Sequence, residues 1–422
     1  MGTKKKTVLK SFDYLHCDDF AAYLMQMARK GWHFKEWGAG LVFEKGEAED
    51  AVYSVEVFID GSEYDTRPGV HTQEFAAYCE AAGWKLIDAK RKFCIFKKVK
   101  SDAVDIVTPQ ERLETIAKEE QKKIWQQLFI ETWFMVLQFL QYTGSGFVNR
   151  IFSNPMLFIT VLWCVLWLSA VGRCIHFCIW KSKSRKKLDR GEAVYFGKGN
   201  DLFSIMQSWN TWLCIAAMIV YVLLSTSSGQ YWSLALFGLI LIPVILMAYF
   251  ISKFRPDAYT NQMIQIVVPV AVFILVMTFF VGMIMTGQTQ MVALDEIPLL
   301  YEDIGGDAGT LEKRTLDGSS SIYGSGLRCW LYYEQEHIYY QVYKSDHRWV
   351  LDRIWNTEMD RKYNQLGTDV NDIWDAEAAI RNVPGSYLVR YPGAILILNI
   401  EEDTVLTAEQ VQIIRAALLE SR

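Results

Sequence analysis

The chain has 422 residues, 51% of them hydrophobic, and a formal net charge of −5. That is enough for two small soluble domains plus a membrane block, and the hydrophobic share averages two polar ends with an apolar middle. Residues 1–126 hold 20 Lys+Arg against 21 Asp+Glu, residues 127–286 hold 11 against 5, and residues 287–422 hold 12 against 22. So acidic a final third argues against nucleic acid as a partner.

The first 107 residues read as an α+β domain built from an internal duplication. Phe20-Ala-Ala-Tyr23, Gly31-Trp32 and Leu41-Val42-Phe43 recur as Phe75-Ala-Ala-Tyr78, Gly83-Trp84 and Cys94-Ile95-Phe96, 52 to 55 residues later. Such self-similarity marks a repeated structural unit. Each unit is a helix closed by glycine, then a strand opening on Trp, then a second strand. With strands at Val8–Tyr14 and Val52–Phe58, the predicted order is βαβββαββ. A ferredoxin-like sandwich, with both helices on one face of an antiparallel sheet, is its simplest packing. Lys4 to Lys10 leads into this pattern and not into an apolar signal sequence, so the domain is expected in the cytoplasm.

The residues Tyr23-Leu24, Met27-Ala28, Gly31-Trp32, Phe43-Glu44-Lys45-Gly46, Tyr53 and Glu80-Ala-Ala-Gly83-Trp84 resemble the domain of unknown function 2812. That family consists of membrane proteins, mostly of Gram-positive bacteria, often encoded beside PadR-type transcriptional regulators. The resemblance implies a regulatory or envelope-sensing setting and supplies no catalytic residue.

Thr108-Pro109-Gln110-Glu111 is a helix-opening capping box, followed by a charged linker helix over 108–123. It runs into 124–142, an apolar segment with a narrow polar stripe of Gln127, Glu131, Gln138 and Gln141. Pro155–Trp180, Tyr231–Ile251 and Ile264–Met285 each exceed the roughly 18 to 20 residues that a spanning helix needs. Trp209–Leu224 is slightly short. The loop 180–208 holds seven basic residues and the loop 252–261 holds two, while the intervening loops hold only Arg150. The positive-inside rule places those nine charges in the cytoplasm. Together with a cytoplasmic N-terminus, it predicts a transmembrane bundle over 124–286 with five helices: 124–142, 155–180, 209–225, 231–251 and 264–286. The acidic domain 287–422 then falls outside the cytoplasm. Glu131 and Arg173 would lie at similar depth, and an unpaired charge there is costly, so an intramembrane ion pair between them is expected.

Residues 287–422 read as a small α+β domain. A hairpin over Leu327–Gln335 and His337–Ser345 is followed by helical patterns at 349–363 and 373–381. Two strands come next, broken at Pro392-Gly393, then a helix opened by Thr407-Ala-Glu-Gln410. Gly305–Gly326 reads as a linker. Trp330, Tyr332, Tyr333, Tyr339, Tyr340 and Tyr343 form a candidate aromatic binding surface for a peptide or envelope ligand. His337 and His347, ten residues apart and with Asp346 beside the second, are a weak signal for metal or acid–base chemistry and read as surface polar residues. No nucleophile, phosphate-loop or dinucleotide motif is present, so neither an enzyme nor a cofactor is expected. The expected function is a non-enzymatic membrane sensor or regulator that joins an outer domain to a cytoplasmic regulatory partner. The alternative is an accessory subunit of a transport or export system. Beyond the lipid bilayer, the sequence names no partner and no oligomeric state.

Overall fold

The computed structural model describes residues 4–143, 146–197, 216–223, 232–285, 293–306, 309–334, 336–383, 386–400 and 405–420. The chain divides into two units, residues 1–133 with 164–282 and residues 134–163 with 283–422.

In the first unit the duplication is visible in three dimensions. The first repeat is β1 (Lys5–Val8), α1 (Cys17–Arg29), β2 (Trp32–Trp37) and β3 (Leu41–Lys45). The second is β4 (Tyr53–Val57), α2 (Val70–Ala81), β5 (Trp84–Lys90) and β6 (Phe93–Lys98). The order βαβββαββ is as expected, with β1 earlier than the predicted Val8–Tyr14. The ferredoxin-like single sheet is not formed. There are two three-stranded sheets, β1-β3-β2 and β4-β6-β5, each with the first strand of its repeat beside the last. Closing a sheet within about 45 residues costs less chain entropy than pairing strands between repeats. Gly31 and Gly83 end the two helices at φ +72° and +94°, a conformation that a side chain strains. A Cβ at Gly31 would also lie 2.7 Å from the Gly46 carbonyl oxygen.

Each repeat carries a β-bulge in its second strand, at the same place. The β2–β3 ladder skips Lys35, between Phe34 and Glu36, and the β5–β6 ladder skips Ile87, between Leu86 and Asp88. A bulge turns the next side chain out of its regular alternation. Glu36 and Asp88, 52 residues apart like Trp32 and Trp84, are the carboxylates so placed.

Helix α3 (Pro109–Leu140) is one continuous 32-residue helix. Thr108 Oγ1 accepts the Glu111 backbone N–H at 3.3 Å, half of the predicted capping box. Leu113 and Ile116 of α3 join a core made by both repeats, with Phe20, Leu24, Leu41 and Phe43 of the first and Val55, Phe93 and Ile95 of the second. Helix α5 (Asn154–Asp189) follows a short helix, α4 (Gly146–Ile151). Two very apolar helices complete the unit, α6 (Trp232–Phe254) and α7 (Ala258–Met285).

The five-helix bundle is corrected by this arrangement. Among the described residues three helices are long and apolar enough to cross a membrane: Asn154–Asp189, Leu234–Phe254 and Ala258–Phe279. The predicted 124–142 is the second half of α3, and its polar stripe keeps it out of that set. Of the predicted 209–225, residues 216–223 are helical, and the rest lies outside the described residues.

The second unit is larger in strands than the small α+β domain expected. Its seven-stranded antiparallel sheet has the order β10-β11-β12-β13-β9-β8-β7. The strands are β7 (Leu311–Ser321), β8 (Gly324–Tyr333), β9 (His337–Lys344), β10 (Thr368–Asp369), β11 (Ala378–Val383), β12 (Ser386–Tyr391) and β13 (Ala394–Asn399). The presumed linker 305–326 contains β7, an 11-residue strand of which ten residues pair with β8. Of the presumed helix at 373–381, Ile373 and Trp374 are helical and residues 378–381 belong to β11. Glycine and serine mask a strand to propensity reasoning, because a long partner such as β8 supplies the stability that the residues lack.

Both faces of this sheet are covered. On one, Leu331, Ile338, Tyr340, Leu396 and Leu398 pack with Val411 and Ile414 of α9 (Ala408–Arg415). Thr407 caps that helix with the full box, as the sequence indicated. On the other face, Tyr343, Leu388 and Ile395 pack with α4 and with α8 (Arg348–Met359).

Candidate functional site

The tip between α6 and α7 is three residues, Arg255-Pro256-Asp257. Proline lacks the N–H that continues a helix, so it enforces the break. Asp257 caps α7, accepting the Thr260 N–H at 3.2 Å and its hydroxyl at 2.7 Å. These bonds hold the Asp257 carboxyl below its ordinary pKa.

Arg255 sits at φ +45°, in a region that costs a non-glycine residue about 1–3 kcal/mol. Its guanidinium holds it there. Nη2 donates to both Asp88 oxygens at 2.9 Å, Nη1 reaches Glu36 at 3.3 Å, and Nε donates to the Thr66 carbonyl at 2.7 Å. One arginine thus closes on the bulge carboxylates of both repeats. The Trp37 backbone N–H also donates to Asp88, at 2.6 Å, so this buried carboxylate has no lone charge. A second strut is Asn261, whose amide donates to the Tyr64 carbonyl at 2.6 Å.

Beside this clamp lies a cavity of about 560 Å³, lined by Trp37, Asp65, Lys90 and Arg91 and by Ala248 and Ser252 of α6. Lys90 is the positional counterpart of Gly38, 52 residues on, and donates to the Gly38 carbonyl at 2.6 Å. Burial, with Arg91 and Arg255 nearby, pulls its pKa down to about 8.

Helix α3 is locked to the same domain by buried charge. Arg112 binds Asp18 at 2.8 Å and Glu56 at 2.9 Å, and lies 5.0 Å from the Phe196 ring centre. Burial raises the Glu56 pKa while Arg112 opposes the shift. Lys92 of the second repeat pairs with Glu119 at 2.9 Å, both nearly enclosed. The segment after α5 also docks here: the Asp18 and Phe196 backbones bond at 2.8 Å, and the Asp18 carboxylate accepts the Phe196 N–H at 2.7 Å.

The predicted partner of Arg173 is displaced. Its Nη2 donates to Glu120 at 2.7 Å and its Nη1 to Gln127 at 2.8 Å. Glu131 is not among its partners. Positions 120, 124, 127 and 131 share one face of α3, so both carboxylates lie on the stripe that meets α5. The guanidinium turns toward the charged end of the helix, where Glu120 is nearly fully enclosed.

The six aromatic residues of the predicted surface separate by strand alternation. Tyr333 and Tyr340 enter one core and Tyr343 the other. Trp330, Tyr332 and Tyr339 share the α8 face of the sheet, where Trp330 and Tyr339 stack at 5.0 Å. Tyr332 is 45% exposed. Among the described residues no group of three or more His, Cys, Asp or Glu is placed to hold a metal ion.

Glu36, Asp88 and Arg255 were not singled out from sequence. The available signal was the acidic residue shared by both repeats four positions after the Trp. Arg255 was counted only as a topology charge.

Residues 17–130 match the family described as "Protein of unknown function (DUF2812)". This segment carries a DUF2812 domain. It takes in α1 through β6 and α3 as far as Ile130, and therefore Glu36, Asp88, Arg112, Glu119 and Glu120. Arg255 and β1 lie beyond it. No curated protein and no solved structure matches the chain.

Proposed function

We propose that this is a non-enzymatic membrane regulator whose DUF2812 domain reads the arrangement of the α6–α7 hairpin. The observation that carries this reading is Arg255, a residue in left-handed backbone at a helix break, bound to one carboxylate from each repeat. A strained residue held by buried charge has two natural states, engaged and released. A shift of the two apolar helices would withdraw the arginine and leave Asp88 buried without its partner. That costs several kcal/mol, enough to change how the repeats meet.

The same contacts support an orientation. The DUF2812 domain touches both the segment after α5 and the α6–α7 tip, so the basic stretches 181–197 and 252–261 lie on its side. Eight basic residues on that side favour the cytoplasm. Helix α7 then leads residues 287–422 to the opposite side. The output partner is a cytoplasmic regulatory protein, with a PadR-type transcriptional regulator as the candidate.

Arg255→Gln in the full chain tests the reading. Amide exchange in β2 and β5 is expected to rise, and the set of proteins crosslinked to residues 1–123 in native membranes to change. Unaltered exchange and crosslinking would remove the coupling. Separately, Lys186→Cys and Asp346→Cys are expected to label from opposite sides of intact cells. Labelling from one side refutes the orientation alone.

A further inference from the structure

We infer that the cavity at the end of α8 in the second unit binds a small neutral saccharide. The inference stands apart from the reading of the α6–α7 hairpin.

The cavity measures about 470 Å³, within the usual ligand range and room for roughly one or two sugar rings. Its floor is the α8 face of the sheet, and sheet register explains why it exists. Tyr343 and Ile395 pair across β9 and β13, as do Gln341 with Ile397 and Tyr339 with Asn399, and Ser386 of β12 lies opposite Asn399. Along the strands the rows pass from apolar beneath α8 to polar and aromatic where the helix ends. Helix α8 stops at Met359, and the last row is left uncovered by it.

Charge decides what can enter. The charged lining residues are Glu358 and Arg361, and they pair with each other at 3.0 Å. Burial raises the Glu358 pKa, opposed by that arginine. A ligand with a net charge would need a counter-charge that this lining lacks, a cost of several kcal/mol when desolvated.

Hydrogen-bonding capacity decides the class. The Gln341 side-chain oxygen accepts from the Tyr343 hydroxyl and the Asn399 oxygen from Ser386. Each amide therefore keeps its two N–H donors for the cavity. Tyr339 adds a hydroxyl and a ring backed by Trp330. Amide donors spaced along one strand row, beside an aromatic platform, suit a ring with hydroxyls on its edge and C–H groups on its face. An amino acid would need two opened charges, and an apolar ligand would strand the amides.

The test uses the full chain in nanodiscs. Glucose, N-acetylglucosamine and their β-1,4-linked dimers are titrated while calorimetry and tryptophan fluorescence are followed. Saturable binding of at least one is expected. Affinity should fall about fivefold in Tyr339→Phe, which keeps the ring, and about tenfold or more in Gln341→Ala/Asn399→Ala. Thermal melting of each variant accompanies the titration, and Tyr339→Phe decides if the double variant does not fold. No binding of any of these sugars at about 10 mM overturns the inference. Binding that Tyr339→Phe leaves unchanged overturns it too, as does tighter binding of glycylglycine than of every sugar.

Discussion

The two repeats of the DUF2812 domain share strand order, helix-ending glycine and bulge position, yet they are buried very differently. Helix α1 buries Cys17, Phe20, Ala21, Leu24, Met27 and Ala28, whereas α2 buries only Thr72 and Cys79. Tyr78 is 78% exposed, at the position that Tyr23 holds in the first repeat. The cause is what each repeat receives from the rest of the chain. Leu113 and Ile116 of α3 and Phe196 after α5 join the core that α1 faces, which also takes in Tyr53, Val55, Val57, Phe93 and Ile95 from β4 and β6 of the second repeat. The second core is a smaller set around Cys79, Trp84, Cys94 and Phe96. The repeats share a topology, and their burial differs with what covers each helix: α1 is packed by α3 and by strands of both repeats. The acidic bulge position was kept in both repeats, and one arginine answers both.

The largest test of that asymmetry is Arg112→Leu. It leaves Asp18 and Glu56 without their shared cation, and a loss of about 3–5 kcal/mol is expected in denaturant unfolding of the full chain. The equivalent aromatic pair sharpens the comparison. Phe20→Ala, at a site with no solvent exposure, should cost about 3–5 kcal/mol. Phe75→Ala in the second repeat should cost at least about 1 kcal/mol less, because part of Phe75 is already exposed. Equal losses would mean that the two cores carry equal weight. Gly31→Ala and Gly83→Ala should each cost about 1–3 kcal/mol. Both glycines have positive φ, and a Cβ at Gly83 would meet Ala103 at 2.8 Å, so these two should not differ much. A pH dependence rests on Lys90. Its folded pKa of about 8 lies below its unfolded value, so the folded state releases the proton first as pH rises. Its destabilising contribution is complete below pH 8 and disappears as pH rises toward about 10.4. Unfolding free energy should therefore rise across that window, and Lys90→Met should remove this rise.

Much of the local structure was legible. The period of the repeats, Gly31 and Gly83 as helix stops, the Thr407 capping box and the Tyr387–Ile400 hairpin all rest on neighbours in sequence. The misreadings came where partners are distant. Strand β7 is rich in Ser and Gly and is stable only beside β8. The single ferredoxin-like sheet assumed that the repeats would share strands. The Arg173 pair assumed that depth alone selects a carboxylate, when Glu120 lies on the same face of α3 as Glu131. Of the candidate aromatic surface, alternation along β8 and β9 could have separated Trp330 and Tyr339 from Tyr333 and Tyr340. Only pairing with β13 shows that Tyr339 borders a polar cavity.

The sequence by itself determined the apolar helices, the doubled βαββ unit and the uneven charge, since periodicity, hydropathy and capping act over a few residues. Tertiary structure alone decided that Arg255 reaches Glu36 and Asp88, which lie 219 and 167 positions away in the chain. Contacts at such separations are chosen by the closing of the whole fold, where a buried charge accepts whichever counter-charge the packing delivers.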